Sequence, residues 1–341
     1  MTTRIPLNDL ETRTHSLVQC RTEESPVEFH IPISPNEHFF TMVHYLAASL
    51  RVAGAPLSSC PVVVTVGEDC EPYDLAARNP WSSQYPLQWI WMDRELFRSK
   101  GIYATAVDRF RRDFRSPAIV MLDADLLVVG PLGDLFEQVM ASAAVCGFIA
   151  HGSPFLWTPD ARSRPNSAWW GDLYRRAGLG RPQFTCQHSG WNIMFTDESY
   201  RYAPPYFNLG VLAAPAAVMR SIGDVILQEM EHVDSVLETV FKCQLGLTLA
   251  IERLGLRWNE LEVRFNFPNF PAFWNGFHEA IHDIRILHYL GGADGFRKDL
   301  DMADPESVRS FLSREGLPAV NVRLRTALRE LQAIVEGERL P

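Results

Sequence analysis

The sequence lacks the features that mark membrane-spanning, secreted and nucleic-acid-binding proteins. Its first residues contain no apolar core of a signal peptide. Two long stretches without a charged residue, 138–159 and 202–219, are interrupted by glycine and proline, so we expect no membrane span. Lysine and arginine number 32 against 41 aspartate and glutamate residues, a balance that argues against a nucleic-acid partner.

The six cysteines are scattered through 341 residues, and no Cys-x-x-Cys pair occurs. This spacing does not indicate a disulfide framework, and a chain of this length can form a core without covalent staples. We therefore expect free thiols in a reducing compartment and a cytoplasmic protein. The apolar content of 47% is that of a globular protein with one large domain or two smaller ones.

Segments typical of buried strands alternate with segments of helical periodicity along the first half of the chain. This order predicts an α/β protein with a Rossmann-like, mostly parallel central sheet and helices on both faces. The first helix should have Ser34 as its N-cap, Pro35 as its first residue and Glu37 completing a capping box. Strands are predicted at 28–33, 61–66, 87–92, 118–129, 145–150, 206–213 and 284–289.

Composition divides the chain into three parts. We expect an N-terminal extension over 1–27, the α/β domain over 28–300 and a C-terminal helical segment over 301–341. Within the domain, residues 151–206 have weak periodicity and many aromatic residues. We expect an excursion here, at the carboxyl edge of the sheet, where open α/β sheets bind ligands. The C-terminal helices could also form the interface of a homodimer.

Asp123 and Asp125 interrupt a run of ten otherwise apolar residues between Ala118 and Val129. Burying a carboxylate without a partner is costly, and residues two apart on a strand share one face. The two like charges therefore require a cation, and hard oxygen ligands suit Mn²⁺ or Mg²⁺. The alternative is that Asp125 caps a turn and Asp123 pairs with an arginine.

Three further polar residues have informative positions. His288 ends a late predicted strand, and its imidazole would complete a metal site begun by two carboxylates, although such a histidine is often only structural. Asn208 lies in a predicted strand, and its amide can both donate to and accept from hydroxyl groups, unless it marks a bulge beside Gly210. Gln244 offers a neutral amide early in a helix, or is a residue of that helix surface.

Three motifs in this order resemble those of GT-A glycosyltransferases of family 8, the glycogenin-like and bacterial galactosyltransferase-like enzymes. They are MLDADLLVVGPLGDLF at 121–136, YFNLGVL at 206–212 and HYLGG at 288–292. The resemblance covers about residues 28–300 and implies the GT-A fold of nucleotide-diphospho-sugar transferases. It also implies a hexosyltransferase that moves a sugar, with retention of configuration, from a UDP-sugar or similar donor to a carbohydrate or other hydroxyl acceptor.

The resemblance further implies roles for single residues. Mn²⁺ or Mg²⁺ would be held by Asp123, Asp125 and His288. Gln244 and Asp125 would be the catalytic residues, with Gln244 close to the anomeric carbon. The donor-binding residues would be Ile33, Ser34, Asn36, Asp123, Ala124, Asn208, Gly291 and Lys298.

The sequence departs from the family pattern at three places. Cys243 stands where the family usually has aspartate. No Lys-Pro-Trp follows the HYLGG motif, so Lys298 or Arg297 would contact the phosphates instead. The family's Tyr-Ala-Arg is Tyr-Ala-Thr at 103–105 here, which makes Arg109 the candidate replacement for the missing arginine.

Other functions stay open at this stage. An inverting GT-A enzyme needs a catalytic base, for which Asp160 and Asp172 are candidates. A nucleotidyltransferase normally has a glycine-rich loop after its first strand, whereas this loop is SPNEHFF. A sugar-nucleotide-binding protein without catalysis would fit the departure at Cys243.

The tryptophans of the excursion have two interpretations. Sugars pack their C–H faces on aromatic rings, so these residues could form the acceptor site. They could equally fill a core beneath a long loop. The four tryptophans are Trp157, Trp169, Trp170 and Trp191.

Overall fold

The computed structural model describes residues 25–157, 164–289 and 300–337. Its strands form a seven-stranded sheet, a three-stranded sheet and a two-stranded ribbon. Numbered along the chain, the strands are β1 (Val27–Ile33), β2 (Val62–Val66), β3 (Leu87–Trp91), β4 (Ala118–Leu122), β5 (Leu126–Val128), β6 (Val145–Ile149), β7 (Cys186–Gln187), β8 (Tyr202–Ala203), β9 (Phe207–Pro215), β10 (Trp258–Glu260), β11 (Phe267–Pro268) and β12 (Ile286–His288).

The large sheet has the strand order β10-β6-β9-β4-β1-β2-β3. All of its strands are parallel except β9, which runs antiparallel to both β4 and β6. Strands β2 and β4 are buried at every position, as is typical of parallel sheets covered on both faces. The predicted α/β architecture is confirmed, and the carboxyl ends of the parallel strands meet at one edge.

Helices cover both faces of this sheet. Helices α1, α10 and α11 contribute to the apolar core on one face, and α4, α7 and α8 to the core on the other. None of the helices in the described ranges has the length and apolar character needed to cross a bilayer. The helices are α1 (Glu37–Val52), α2 (Leu75–Arg78), α3 (Arg94–Lys100), α4 (Ile102–Asp108), α5 (Gly133–Ser142), α6 (Asn166–Arg176), α7 (Ala216–Asp234), α8 (Lys242–Leu254), α9 (Pro271–Gly276), α10 (Pro305–Ser313) and α11 (Ala319–Gly337).

The strand predicted over 118–129 is in fact two strands in two sheets. The chain leaves the large sheet after β4, turns at Asp123–Asp125 and continues as β5, which pairs antiparallel with β12. The expectation that the two aspartates share one face of a strand is therefore wrong. A turn at the sheet edge keeps both carboxylates partly in water, which avoids the cost of burying them within the sheet.

The start of α1 also differs from the prediction. Asn36 is the N-cap, and its side-chain oxygen accepts from the N–H of Phe39 at 3.0 Å. Ser34 lies two residues before this cap, so Glu37 is the first helical residue rather than the third. Asparagine caps helices as well as serine does, and Glu37 is still favoured in the first turn by the helix dipole.

Two further regions extend the fold beyond the sheet. The excursion contains α6 and the β7–β8 ribbon, neither of which was predicted from periodicity. The C-terminal helices are packing elements, because α11 lies against α1 and its Leu324 and Leu328 are fully buried.

Candidate functional site

Three potential metal ligands meet where β4 and β12 end. Antiparallel pairing of β12 with β5 sets His288 opposite Leu126, directly after the turn that holds Asp123 and Asp125. Ligand atoms of the three side chains lie within 4.8 Å of one another, and His288 Nε2 is 3.2 Å from Asp125 Oδ2. Within residues 25–157, 164–289 and 300–337 this is the only such group, which we call the acidic corner.

The electrostatics of the acidic corner favour a cation. Partial desolvation, together with the charge of Asp125, raises the pKa of Asp123 to about 6, whereas Arg109 and His288 act in the opposite direction. Two carboxylates so close together are stabilised when a positive ion lies between them. Oxygen ligands with one imidazole suit Mn²⁺ or Mg²⁺, so the residues present fit the metal that the resemblance implies.

Arg109 lies behind the acidic corner and is completely buried. Its guanidinium donates to the carbonyls of Ala106, Leu122 and Leu209 at 2.8, 2.8 and 3.2 Å. It also lies 3.5 Å from Asp123 Oδ1. The pairing of Asp123 with an arginine, considered above as an alternative to metal binding, is therefore present together with the metal-ligand geometry. A direct contact of Arg109 with a donor remains a prediction.

Asn208 lies on β9 beside the acidic corner, but its amide has less freedom than we expected. Its Oδ1 accepts from the N–H of Gly210 at 2.8 Å and from Asn266 Nδ2 at 2.9 Å. Asn266 Oδ1 in turn lies 2.9 Å from His288 Nδ1. With two N–H groups on its oxygen, Asn208 has its NH₂ to offer a ligand, so the expectation that it would both donate and accept is wrong.

Sequence reasoning missed Asn266 altogether. This residue is almost fully buried and stands between two buried phenylalanines, Phe265 and Phe267. A polar residue inside an apolar segment was the signal that identified Asp123 and Asp125, and the same signal was available in the segment RFNFPNF.

Cys243 and Gln244 begin α8. The Cys243 thiol lies 3.3 Å from the carbonyl oxygen of Tyr103, and burial raises its pKa to about 12 although Arg109 lies close enough to lower it. The position where the related enzymes carry aspartate is therefore uncharged here. Gln244 is half-buried in the first turn, and its predicted place at the reacting carbon remains a prediction.

The residues expected near the nucleotide base lie after β1, which neighbours β4. Ile33 is buried in the core, so only its backbone could contact a ligand. Ser34 is half-buried, and Asn36 is exposed with its oxygen engaged in capping α1. Ala124 is buried within the acidic turn. Four further candidates lie outside the described residues: the donor-binding Gly291, the phosphate-contacting Arg297 and Lys298, and Asp160 as a catalytic base for an inverting reaction.

A cleft of about 830 Å³ lies on the β6–β10 side of the same sheet edge. Ser189 lines it, and the Ser189 hydroxyl contacts His151 Nδ1 at 2.9 Å. Burial, together with the nearby His288, lowers the pKa of His151 to about 3. We call this the β10 cleft; its lining includes Gln187, Ser189, Trp191, Trp258, Glu260 and Glu262.

The tryptophans of the excursion divide between the two interpretations. Trp169 and Trp170 are buried with Phe155 in a separate apolar cluster, so they are core residues. Trp191 is also largely buried, with 7% of its surface exposed, but it lines the β10 cleft. The Trp157 side chain lies outside what the structure describes.

Asp172, a candidate base for an inverting reaction, lies on α6. It pairs with Arg164 and, at 2.6 Å, with Arg175. These hydrogen bonds lower its pKa, which makes the carboxylate a weaker base. The structure therefore argues against Asp172 in that role.

Neither a protein-family model nor a curated protein sequence matches the chain. Among solved structures, the galactosyltransferase LgtC in complex with donor and acceptor sugar analogs has a TM-score of 0.51 and 14% identity, over 85% of this chain and 97% of LgtC. An active-site mutant of LgtC has a TM-score of 0.50 at the same identity and coverage. Mouse xyloside xylosyltransferase 1 has a TM-score of 0.46 and 13% identity, over 79% of this chain and 98% of that protein.

At such identities the likeness to LgtC establishes the fold alone. The chain has a GT-A fold, and its resemblance to family 8 glycosyltransferases is confirmed at that level.

Proposed function

We propose that the protein is a metal-dependent glycosyltransferase that moves a hexose from a UDP-sugar to an acceptor hydroxyl with retention of configuration. One observation carries this proposal: Asp123, Asp125 and His288 meet within 4.8 Å at the carboxyl edge of a GT-A fold. LgtC, which has this fold, is a galactosyltransferase that binds donor and acceptor sugar analogs.

The acidic corner would hold Mn²⁺ or Mg²⁺, which as a bound Lewis acid offsets the charge that develops on a departing diphosphate. Asn208 would orient the donor sugar by donating from its NH₂. Gln244 would stabilise positive charge at the anomeric carbon through its carbonyl dipole. Lys298 or Arg297 would contact the phosphates. The acceptor hydroxyl would attack on the face from which the diphosphate leaves and pass its proton to a phosphate oxygen.

The two flanks of the acidic corner suggest where each substrate binds. Ser34 and Asn36 follow β1 on one flank, and we assign the nucleotide base to that side. The β10 cleft lies on the other flank, and we assign the acceptor to it, with Trp191 and Trp258 as ring surfaces for sugar faces. Its two carboxylates, Glu260 and Glu262, favour a neutral hydroxyl acceptor over an anionic one.

A second candidate function is sugar-nucleotide binding without transfer. The buried, uncharged thiol of Cys243 supports it, since the aspartate of related enzymes is missing at the entrance to α8. This candidate shares the donor site and differs in the fate of the bound donor.

A two-stage experiment tests both candidates. The first stage measures the melting temperature with UDP-glucose or UDP-galactose, each with Mn²⁺ and with chelator, because ligands of the native state raise its stability. We expect stabilisation that requires the metal; no stabilisation by any nucleotide sugar would reject the proposal. The second stage measures UDP release and the anomer of the product. Binding without UDP release identifies the second candidate, and an inverted product removes retention.

A further inference from the structure

The hydrogen bonds around His288 form one chain whose direction is set by a backbone group. The N–H of Gly210 can only donate, and it donates to Asn208 Oδ1 at 2.8 Å. The Asn266 atom that meets the same oxygen at 2.9 Å must then be the NH₂. The other polar atom of Asn266 is consequently an acceptor, and it lies 2.9 Å from His288 Nδ1.

This direction places a proton on Nδ1 of His288. Because Asn266 offers an oxygen, His288 Nδ1 must donate in that contact. The Nε2 atom then faces Asp125, whose Oδ2 is 3.2 Å away. A metal-ligating histidine has this orientation, with one nitrogen toward the metal and the other N–H bound to a fixed acceptor.

Packing leaves the chain little room to rearrange. Asn266 is 1% exposed and His288 4%, so water does not replace either partner readily. A Cβ at Gly210 would lie 2.6 Å from His288 Cε1 and 2.8 Å from Asn208 Oδ1. Only glycine at this position lets the imidazole and the amide lie against β9 together.

We propose that Asn266 is a positioning residue that holds both His288 and Asn208 in their working orientations. It holds His288 with Nε2 directed at the acidic corner, and it holds Asn208 with its NH₂ left to donate to the donor sugar. The roles of the metal and the donor sugar rest on the proposed function, whereas the hydrogen bond from His288 Nδ1 to Asn266 does not.

Two substitutions of Asn266 separate these effects. Asn266→Ala removes the acceptor for His288 and the donor for Asn208. Asn266→Asp keeps an oxygen for His288 Nδ1–H but sets a carboxylate against Asn208 Oδ1. Asn269→Ala is the matched control, since the side chain of this buried asparagine bonds Asn321 at 3.2 Å. Its backbone N–H donates to the His288 carbonyl at 3.0 Å, and alanine keeps that bond.

Calorimetric titration with Mn²⁺ and with UDP-sugar measures the consequences. Asn266→Ala should weaken Mn²⁺ binding about 10–100-fold, the usual effect of losing the partner of a metal-bound histidine. Asn266→Asp should retain Mn²⁺ affinity but weaken binding of UDP-galactose or UDP-glucose about tenfold, with UDP itself unaffected. Asn269→Ala should match the wild type in both titrations. Equal Mn²⁺ losses in Asn266→Ala and Asn269→Ala would overturn the proposal, because general destabilisation would explain both.

Nitrogen-15 NMR of the metal-free protein tests this hydrogen bond directly, with His288 assigned through His288→Gln. We expect a proton on Nδ1 of His288, hydrogen-bonded to Asn266, in the wild type and loss of that hydrogen-bonded signal in Asn266→Ala. A wild type without a proton on Nδ1, or an unchanged Nδ1–H signal in Asn266→Ala, rejects the proposal even if sugar transfer is established. A protein that binds no Mn²⁺ would reject the proposed function, and the NMR measurement would still decide this inference.

Discussion

The acidic corner and the excursion that contains Trp169 and Trp170 both stand out in the sequence. The corner has carboxylates in an apolar segment and the excursion has many aromatic residues, but their side chains are arranged differently. In the corner, Asp123, Asp125 and His288 come from distant segments and converge on one point. In the excursion, most of the aromatic rings pack on each other; the ring centroids of Phe155 and Trp169, for example, are 5.6 Å apart. One group has the geometry of a candidate metal site, and the other forms a core.

The physical reason is the cost of burial. A carboxylate in an apolar segment is costly unless a charge or donor meets it, so its presence implies a partner supplied by the fold or by a ligand. An aromatic ring in a loop gains free energy from burial alone and needs no such partner. Polar residues in apolar segments therefore indicate function more strongly than aromatic residues in polar segments do.

Asp125→Asn should separate the two regions most strongly. The substitution removes a proposed metal ligand at a side chain that is 19% exposed, so we expect transfer to fall about 10³-fold while the melting temperature changes little. UDP release at saturating Mn²⁺ measures the first effect and thermal unfolding the second. Asp172→Asn, which alters an ion-paired carboxylate of the excursion, is the control and should keep its activity.

The opposite pattern would reverse the comparison. If Asp172→Asn abolishes transfer while Asp125→Asn remains active, the excursion contains the catalytic base and the enzyme inverts.

Trp170→Ala should show the converse behaviour. The ring is fully buried among Tyr174 and Tyr206, and deleting such a ring costs about 3–5 kcal/mol of unfolding free energy. Urea denaturation measures this loss. Mn²⁺ affinity of the folded fraction should stay at the wild-type value, since Trp170 belongs to a separate cluster. A selective loss of Mn²⁺ binding without destabilisation would contradict its assignment to the core.

These contrasts also explain how far the sequence could predict the molecule. The sequence pattern predicts a helix over 242–254, which is the extent of α8. Strands β1, β2, β3, β6 and β9 lie within two residues of their predicted bounds, because their apolar patterns are long and regular. Strand β10, at the edge of the large sheet, was not predicted. The break between β4 and β5 was missed since both are equally apolar, and only three-dimensional pairing with β12 separates them. Helix α6 was missed because polar residues and glycine lower its overall hydrophobicity, although its buried residues Asn166, Trp169, Trp170, Leu173 and Tyr174 recur at helical spacing.

The candidate site was predictable in part for the same reason. Asp123, Asp125 and His288 were identified as charged or ionisable residues in apolar segments. Asn266 was not identified and Arg109 was named only as a donor contact, because both act through contacts between segments 22 and 13 residues or more apart. Such contacts depend on the fold and have no local pattern.

His188 provides a pH-dependent test of the excursion. Burial lowers its pKa from 6.5 to about 4 in the folded protein, although the Ala150 carbonyl acts in the opposite direction. As the pH falls from 6.5 to 4, the unfolded chain gains a proton on this residue that the folded chain does not. Because of His188, the free energy of unfolding therefore has its full value above pH 6.5 and decreases as the pH falls toward 4, by up to about 3 kcal/mol.

Urea denaturation of the wild type and His188→Gln between pH 7 and 4 measures this effect. The wild type should lose unfolding free energy faster than the variant as the pH falls. His278→Gln, at an exposed histidine, should keep the wild-type slope. Parallel pH profiles for the wild type and His188→Gln would mean that His188 takes up its proton in the folded state as readily as in the unfolded state.

Trp191→Ala should give the smallest effect. It distinguishes Trp191, which lines the β10 cleft, from the core residues Trp169 and Trp170. Losing a ring that packs on a sugar face should raise the acceptor KM about tenfold and leave the donor KM unchanged. Trp191→Phe, which keeps an aromatic face, should restore most of the affinity. If the acceptor KM does not change, Trp191 is a core residue like Trp170, and the acceptor must bind elsewhere along the sheet edge.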